Sequence, residues 1–123
     1  MKRKPTILIG EAKQYLSDII QESFGAEFDC LCAKTEPEVY DALEKADAVV
    51  VGLDVCPMDL EKRLHFIRKI RSLSSKPLIA LTSVPYSSVR IELIKTGADD
   101  VLTKPFNPEE LVVRTKRLMG LLR

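Results

Sequence analysis

No stretch of this 123-residue chain is apolar for more than about five residues, so no segment reads as a membrane span. The opening residues, Met1-Lys2-Arg3-Lys4-Pro5, hold no apolar signal core, and nothing in them points to export. An excess of one charge is lacking too. Nineteen basic and 18 acidic residues leave +1, which gives no global pull toward nucleic acid or anionic lipid. Cysteine is scarce and odd in number: Cys30, Cys32 and Cys56. Without an export signal they read as reduced thiols, and a cytoplasmic location is expected. Cys30 and Cys32 fall on one face of any strand. With no second pair and a single histidine they make a poor zinc site, and they are read as buried small apolar residues. The five glycines, at 10, 25, 52, 97 and 120, never approach a dinucleotide or phosphate-loop spacing. His65, the only histidine, lies in a helical stretch away from the strand ends, so no nucleophile–base set stands out.

What is present suits one globular domain. Hydrophobic residues at 46% and charged residues at 30% exclude a disordered tail, and the length suits a single core. Charge is distributed unevenly. Glu36 to Asp47 holds five acids and one lysine, and Asp59 to Arg71 holds five bases and two acids. These read as solvated helix faces.

Hydrophobic spacing alternates between two periods along the chain. Thr6 to Gly10 is a short apolar strand, followed by a helix over Ala12 to Phe24 with Leu16, Ile19, Ile20 and Phe24 inward and Gly25 as its stop. Phe28 to Ala33 is a second strand. Glu36-Pro37 opens a helix to about Lys45, with Val39, Ala42, Leu43 and Ala46 inward. Ala48 to Leu53 reads as a strand buried on both faces. Leu60 to Ser72 is a helix with Leu60, Leu64, Ile67 and Leu73 along its stripe. Pro77 to Thr82 is a fourth strand, Tyr86 to Thr96 a helix ended by Gly97, and Val101 to Thr103 a fifth strand. Asn107 caps a last helix whose inner face is Leu111, Thr115, Leu118 and Leu122. Five β-α repeats demand right-handed crossovers and a parallel sheet with helices on both faces, an α/β domain over residues 1–123.

Sites in such sheets form at the carboxyl ends of the strands. The residues closing the strands are Gly10-Glu11-Ala12, Gly52-Leu53-Asp54, Thr82-Ser83 and Lys104-Pro105-Phe106. The run Gly97-Ala98-Asp99-Asp100-Val101-Leu102-Thr103-Lys104-Pro105-Phe106-Asn107-Pro108-Glu109-Glu110-Leu111 resembles the end of a response-regulator receiver domain of the winged-helix transcription-factor branch. Pro77 to Ser83 resembles the strand carrying that family's hydroxyl, and Ala46 to Leu53 with Met58-Asp59 its phosphoacceptor strand and loop. The resemblance covers essentially the whole chain. It implies a flavodoxin-like, doubly wound five-stranded sheet in the order 2-1-3-4-5, two-component signal transduction, and a place as the N-terminal part of a longer regulator.

The family binds Mg²⁺ through an acidic pair after the first strand and an aspartate after the third, which takes the phosphoryl group. On that alignment the pair is Glu11 and Ala12, the acceptor position is Gly52, and the switch aromatic is Val101. Thr82 and Lys104 match, and Lys104-Pro105 matches the family's cis peptide. Glycine offers no carboxylate, so the resemblance implies a pseudo-receiver with no catalytic residue, no metal ligands and Mg²⁺ binding weak or lost. Asp54 would lie about 6–7 Å further along the strand, out of attack geometry. A Glu11–Lys104 ion pair is expected in the vacated pocket. Two competing readings are a working receiver phosphorylated on Asp54 with Mg²⁺, and a small-ligand sensor whose cavity is opened by Gly10 and Gly52.

Output is expected through protein partners, or through self-association by the fourth helix, fifth strand and fifth helix. Asp100 and Arg114 match one charge pair of the family's dimer face. Glu110 matches the acid of another, whose basic partner aligns with Glu92. No nucleic-acid binding by this domain alone and no membrane contact are expected.

Overall fold

The computed structural model describes residues 3–122. Five strands, β1 (Thr6–Gly10), β2 (Asp29–Ala33), β3 (Ala48–Gly52), β4 (Leu78–Thr82) and β5 (Asp100–Thr103), alternate with α1 (Gln14–Phe24), α2 (Glu36–Ala42), α3 (Leu60–Leu73), α4 (Ser87–Thr96) and α5 (Pro108–Leu118). The sheet is parallel in the order β2-β1-β3-β4-β5. Pairing of Gly10 with Val51, Gly52 with Leu81 and Thr82 with Thr103 brings the carboxyl ends of four strands level.

Side chains along a strand alternate between its faces, so the apolar runs build two cores. Leu8, Val49, Val51, Leu78 and Val101 pack with Val39, Phe66, Ile67, Ile70 and Leu93 from α2, α3 and α4. Ile7, Ile9, Val50, Ile79 and Leu81 pack on the other side with Ile20, Phe24 and Leu111 from α1 and α5. Every residue of β3 and β4 is buried. Among the described residues no helix is long and apolar enough to cross a membrane.

Caps set three helix starts. Thr35 accepts the Glu38 N–H, Asp59 the Lys62 N–H, and Asn107 the Glu109 N–H. α1 begins at Gln14 rather than Ala12, because the Lys13 N–H is drawn to the Glu11 carboxylate. α2 ends at Ala42, and a 3₁₀ turn over Leu43–Lys45 completes the expected segment. The inward stripes are shorter than their periodicity suggests. Leu60 and Leu73 at the ends of α3 and Leu118 at the end of α5 are exposed, and so is Ile19 in the middle of α1, beside the buried Ile20. Leu122, also exposed, lies beyond α5: Gly120, at φ +75°, turns the chain, and Leu121 N–H donates to Lys116 O at 2.8 Å.

The cysteine reading is corrected: Cys30 is half-buried and Cys32 exposed, because β2 is the edge strand of the sheet, while Cys56, beyond β3, is buried.

At the amino ends of β4 and β5 one side chain makes several ties. Arg71 donates from Nε to Gly97 O at 2.7 Å, from Nη1 to Lys76 O at 2.7 Å, and from Nη2 to Asp99. Asp99 also accepts the Leu78 N–H at 2.8 Å. Gly97 has φ +148°, and a Cβ there would meet the Arg71 stem, so glycine is required twice over.

Candidate functional site

The opposite end of the sheet gathers the ionisable groups. Glu11 follows β1, and its N–H donates to Ala33 O at 2.9 Å, which holds the chain in line with the sheet. Its side chain is fully buried. Lys104 follows β5, its N–H donating to Thr82 O at 2.7 Å, and the Lys104–Pro105 peptide is cis. The ammonium of Lys104 stands 2.8 Å from Glu11 Oε1 and 3.2 Å from Asp54 Oδ2. Glu11 Oε2 accepts the Lys13 N–H at 3.0 Å. A carboxylate removed from water needs such partners on both oxygens.

β3 stops at Gly52, one residue short of the expected strand end. Leu53–Val55 forms a 3₁₀ turn. Asp54 therefore does not continue along the strand as expected. The turn folds it back over the pocket, against Lys104, with Lys13 Nζ at 3.8 Å and Arg63 Nη2 at 3.6 Å. Three cations thus face two carboxylates.

The cavity expected from Gly10 and Gly52 is absent, because neighbours fill both places. A Cβ on Gly10 would run into Val39 Cγ2 and lie 3.2 Å from Val51 Cγ1. One on Gly52 would overlap the Glu11 carboxylate and lie 3.4 Å from Lys104 Nζ. Thr82 is buried, and its hydroxyl oxygen accepts the Val84 N–H at 3.1 Å. Ala12 is exposed and carries no donor, and Val101 is fully buried in the core.

This donor set does not fit a divalent cation held by side chains. Only Glu11 and Asp54 bring carboxylates, and the Lys104 ammonium lies between them where the ion would need to be. Among the described residues no group of three His, Cys, Asp or Glu side chains is placed to hold a metal.

Lys13 and Arg63 are site residues that sequence reasoning missed. Arg63 carried a signal: it sits three residues after Leu60 and four before Ile67, within the apolar stripe of α3. A charged side chain there is buried and needs partners.

On the α4–β5–α5 face, Arg114 is closed within the chain. Nη1 meets Asp100 Oδ2 at 2.8 Å and Nη2 meets Glu110 Oε1 at 3.0 Å. These two acids, Asp100 foremost, raise the guanidinium pKa above its ordinary value. Glu92 is exposed and forms no ion pair among the described residues, while Ile91 and Ile94 beside it are also exposed.

Comparison with known proteins adds four findings. Residues 7–116 match the family model described as the response regulator receiver domain. The chain is 31% identical over 117 residues to the aerobic respiration control protein ArcA of Escherichia coli K12, covering 94% of this chain and 49% of that protein. It is 32% identical over 114 residues to the transcriptional regulatory protein VxrB of Vibrio cholerae, covering 92% of this chain and 45% of that protein. It thus spans about half the length of these curated relatives. The receiver domain of the Francisella response regulator 1452 shares the fold, with a TM-score of 0.83 at 24% identity over 95% of this chain and 98% of that one.

Proposed function

Because this chain belongs to the response regulator receiver domain family, we propose that it is an atypical receiver that signals without phosphotransfer. In this reading Gly52 stands where the family carries its phosphoacceptor aspartate, and Glu11, Lys104 and Thr82 are what remains of the phosphorylation pocket. The observation that carries it is the overlap at residue 52. The space for an acceptor side chain is taken by the buried Glu11 carboxylate, already paired with Lys104. A pocket so neutralised has no nucleophile at the end of β3, and its Mg²⁺ affinity is weak or lost. Glu11 acts as a permanent internal counter-ion, and the domain acts through contacts with protein partners in the cytoplasm. A longer regulator containing it would control transcription, as the name of the VxrB relative suggests.

Incubation with acetyl phosphate and Mg²⁺, followed by intact mass measurement, tests the reading. The expected spectrum is unchanged, and one phosphoryl group located on Asp54 overturns it. A second reading, phosphorylation of Asp54, draws on its contact with Lys104. It is disfavoured because the same carboxylate is also neutralised by Arg63 and Lys13.

Self-association would use α4, β5 and α5, where Ile91 and Ile94 offer apolar surface. Sedimentation of Asp100→Lys and Arg114→Glu variants decides this. An unchanged monomer fraction in both removes that face as the interface.

A further inference from the structure

We propose that the cavity between the start of α3 and the β4–α4 connection binds a small apolar molecule bearing a carboxylate, held by Arg63. The cavity has a volume of about 160 Å³, and Leu53, Met58, Leu60, Val84 and Val89 form its apolar walls. That is the size of an apolar cavity known to take up benzene.

The polar part of the wall is unusual. Arg63 is only 5% exposed, yet among the described residues its guanidinium makes one hydrogen bond, from Nε to Pro57 O at 3.2 Å. Nη2 lies 3.6 Å from Asp54 Oδ1, an ion pair too long for a hydrogen bond. Among the described residues no buried side-chain nitrogen lacks a partner, so Nη1 and Nη2 still reach open space and remain available to a planar, two-oxygen partner. Thr82 supplies a second donor. Its oxygen accepts the Val84 N–H, and among the described residues its own proton goes to no acceptor. The third polar residue of the wall, Asp59, is occupied in capping α3 through the Lys62 N–H. Two donor residues on the wall of an otherwise apolar hollow fit a monocarboxylate with a benzene-sized or branched aliphatic body.

The inference does not depend on the loss of phosphotransfer: of the old phosphorylation pocket it uses Thr82 alone, and neither Gly52 nor Glu11. The test is a titration of the isotope-labelled chain with sodium benzoate and, separately, sodium isovalerate at constant ionic strength, followed by amide NMR. Saturable shifts are expected at Leu53, Val84 and Val89, with a dissociation constant in the millimolar range or tighter. Arg63→Gln is expected to weaken binding about ten-fold, as loss of a charge-assisted hydrogen bond would. Val89→Phe, which fills the cavity, is expected to abolish it and keeps the test open if the arginine variant does not fold. The proposal is overturned by an absence of saturable shifts with both acids, by undiminished affinity in a folded Arg63→Gln or Val89→Phe variant, or by shifts centred on Lys13 and Lys104.

Discussion

Glu11 and Gly52 share one volume: the carboxylate of the first lies where any side chain on the second would begin. Each residue makes sense only beside the other. A glutamate at the end of β1 reaches Lys104 because β3 offers hydrogen there.

That coupling is measurable. Gly52→Ala is expected to destabilise the domain by about 1–3 kcal/mol, the usual cost of forcing atoms into a filled interior. Glu11→Ala removes the obstructing carboxylate, so the double variant should lose less than the two single losses added together. Urea unfolding of the four proteins gives the interaction energy. Strict additivity would show that the two residues do not compete for space.

Chemical competence should return only when the pocket is rebuilt as a set. Glu11→Asp, Ala12→Asp and Gly52→Asp together shorten the obstructing side chain and supply three carboxylates for Mg²⁺. With acetyl phosphate and Mg²⁺ the triple variant is expected to gain one phosphoryl group by intact mass. Gly52→Asp alone is expected to gain none, because Glu11 still fills the space.

Removing the cation should cost more than removing the anion. Lys104→Met leaves the fully buried Glu11 without its ion-pair partner, a loss of about 3–5 kcal/mol. Adding Glu11→Gln to that variant neutralises the stranded group and should recover a large part. If Lys104→Met unfolds at the same urea concentration as the parent, the pair contributes nothing to stability.

The acid limb of stability should depend on Asp47, at the far end of the sheet. The Thr6 N–H, 2.8 Å away, and then Arg3 hold its carboxyl below the ordinary aspartate value. A depressed folded pKa means that the contribution is complete above the unfolded value. It is lost as pH falls through that value toward the folded one. Asp47→Asn should therefore lower stability at neutral pH and flatten its fall toward about pH 3 in a urea series. A parallel fall in parent and variant would count against this assignment.

Thiol reactivity should follow burial. Burial, followed by the neighbouring Cys32 and Asp29, pushes the Cys30 thiol up to about 11, and burial foremost raises Cys56 further. Iodoacetamide at mildly alkaline pH is expected to label Cys32 first and Cys56 only on unfolding, as read by peptide mass mapping. Early labelling of Cys56 would mean that its surroundings open readily.

The architecture was legible because apolar spacing changes period with each element, and because Val49-Val50-Val51 and the stretch around Thr103-Lys104-Pro105 carry strong local signals. Helix ends were less so. Leu60 and Leu118 keep the period but occupy the terminal residues of α3 and α5, where they are exposed. Within the site, Glu11 and Lys104 could be paired from the alignment of strand ends. The position of Asp54 could not be read, because a 3₁₀ turn after Gly52 replaces extended chain and reverses its direction. Lys13 was hidden for a related reason, since which cations reach a carboxylate depends on how a loop folds; the burial of Arg63 was legible from its place in the α3 stripe, but its partner was not.

The two rims of the sheet are built for different work. At one, Arg71 grips the end of α4 and the approaches to β4 and β5 through its contacts with Gly97, Lys76 and Asp99. That rim behaves as a rivet. Losing that one guanidinium would therefore free a helix end and two strand approaches together.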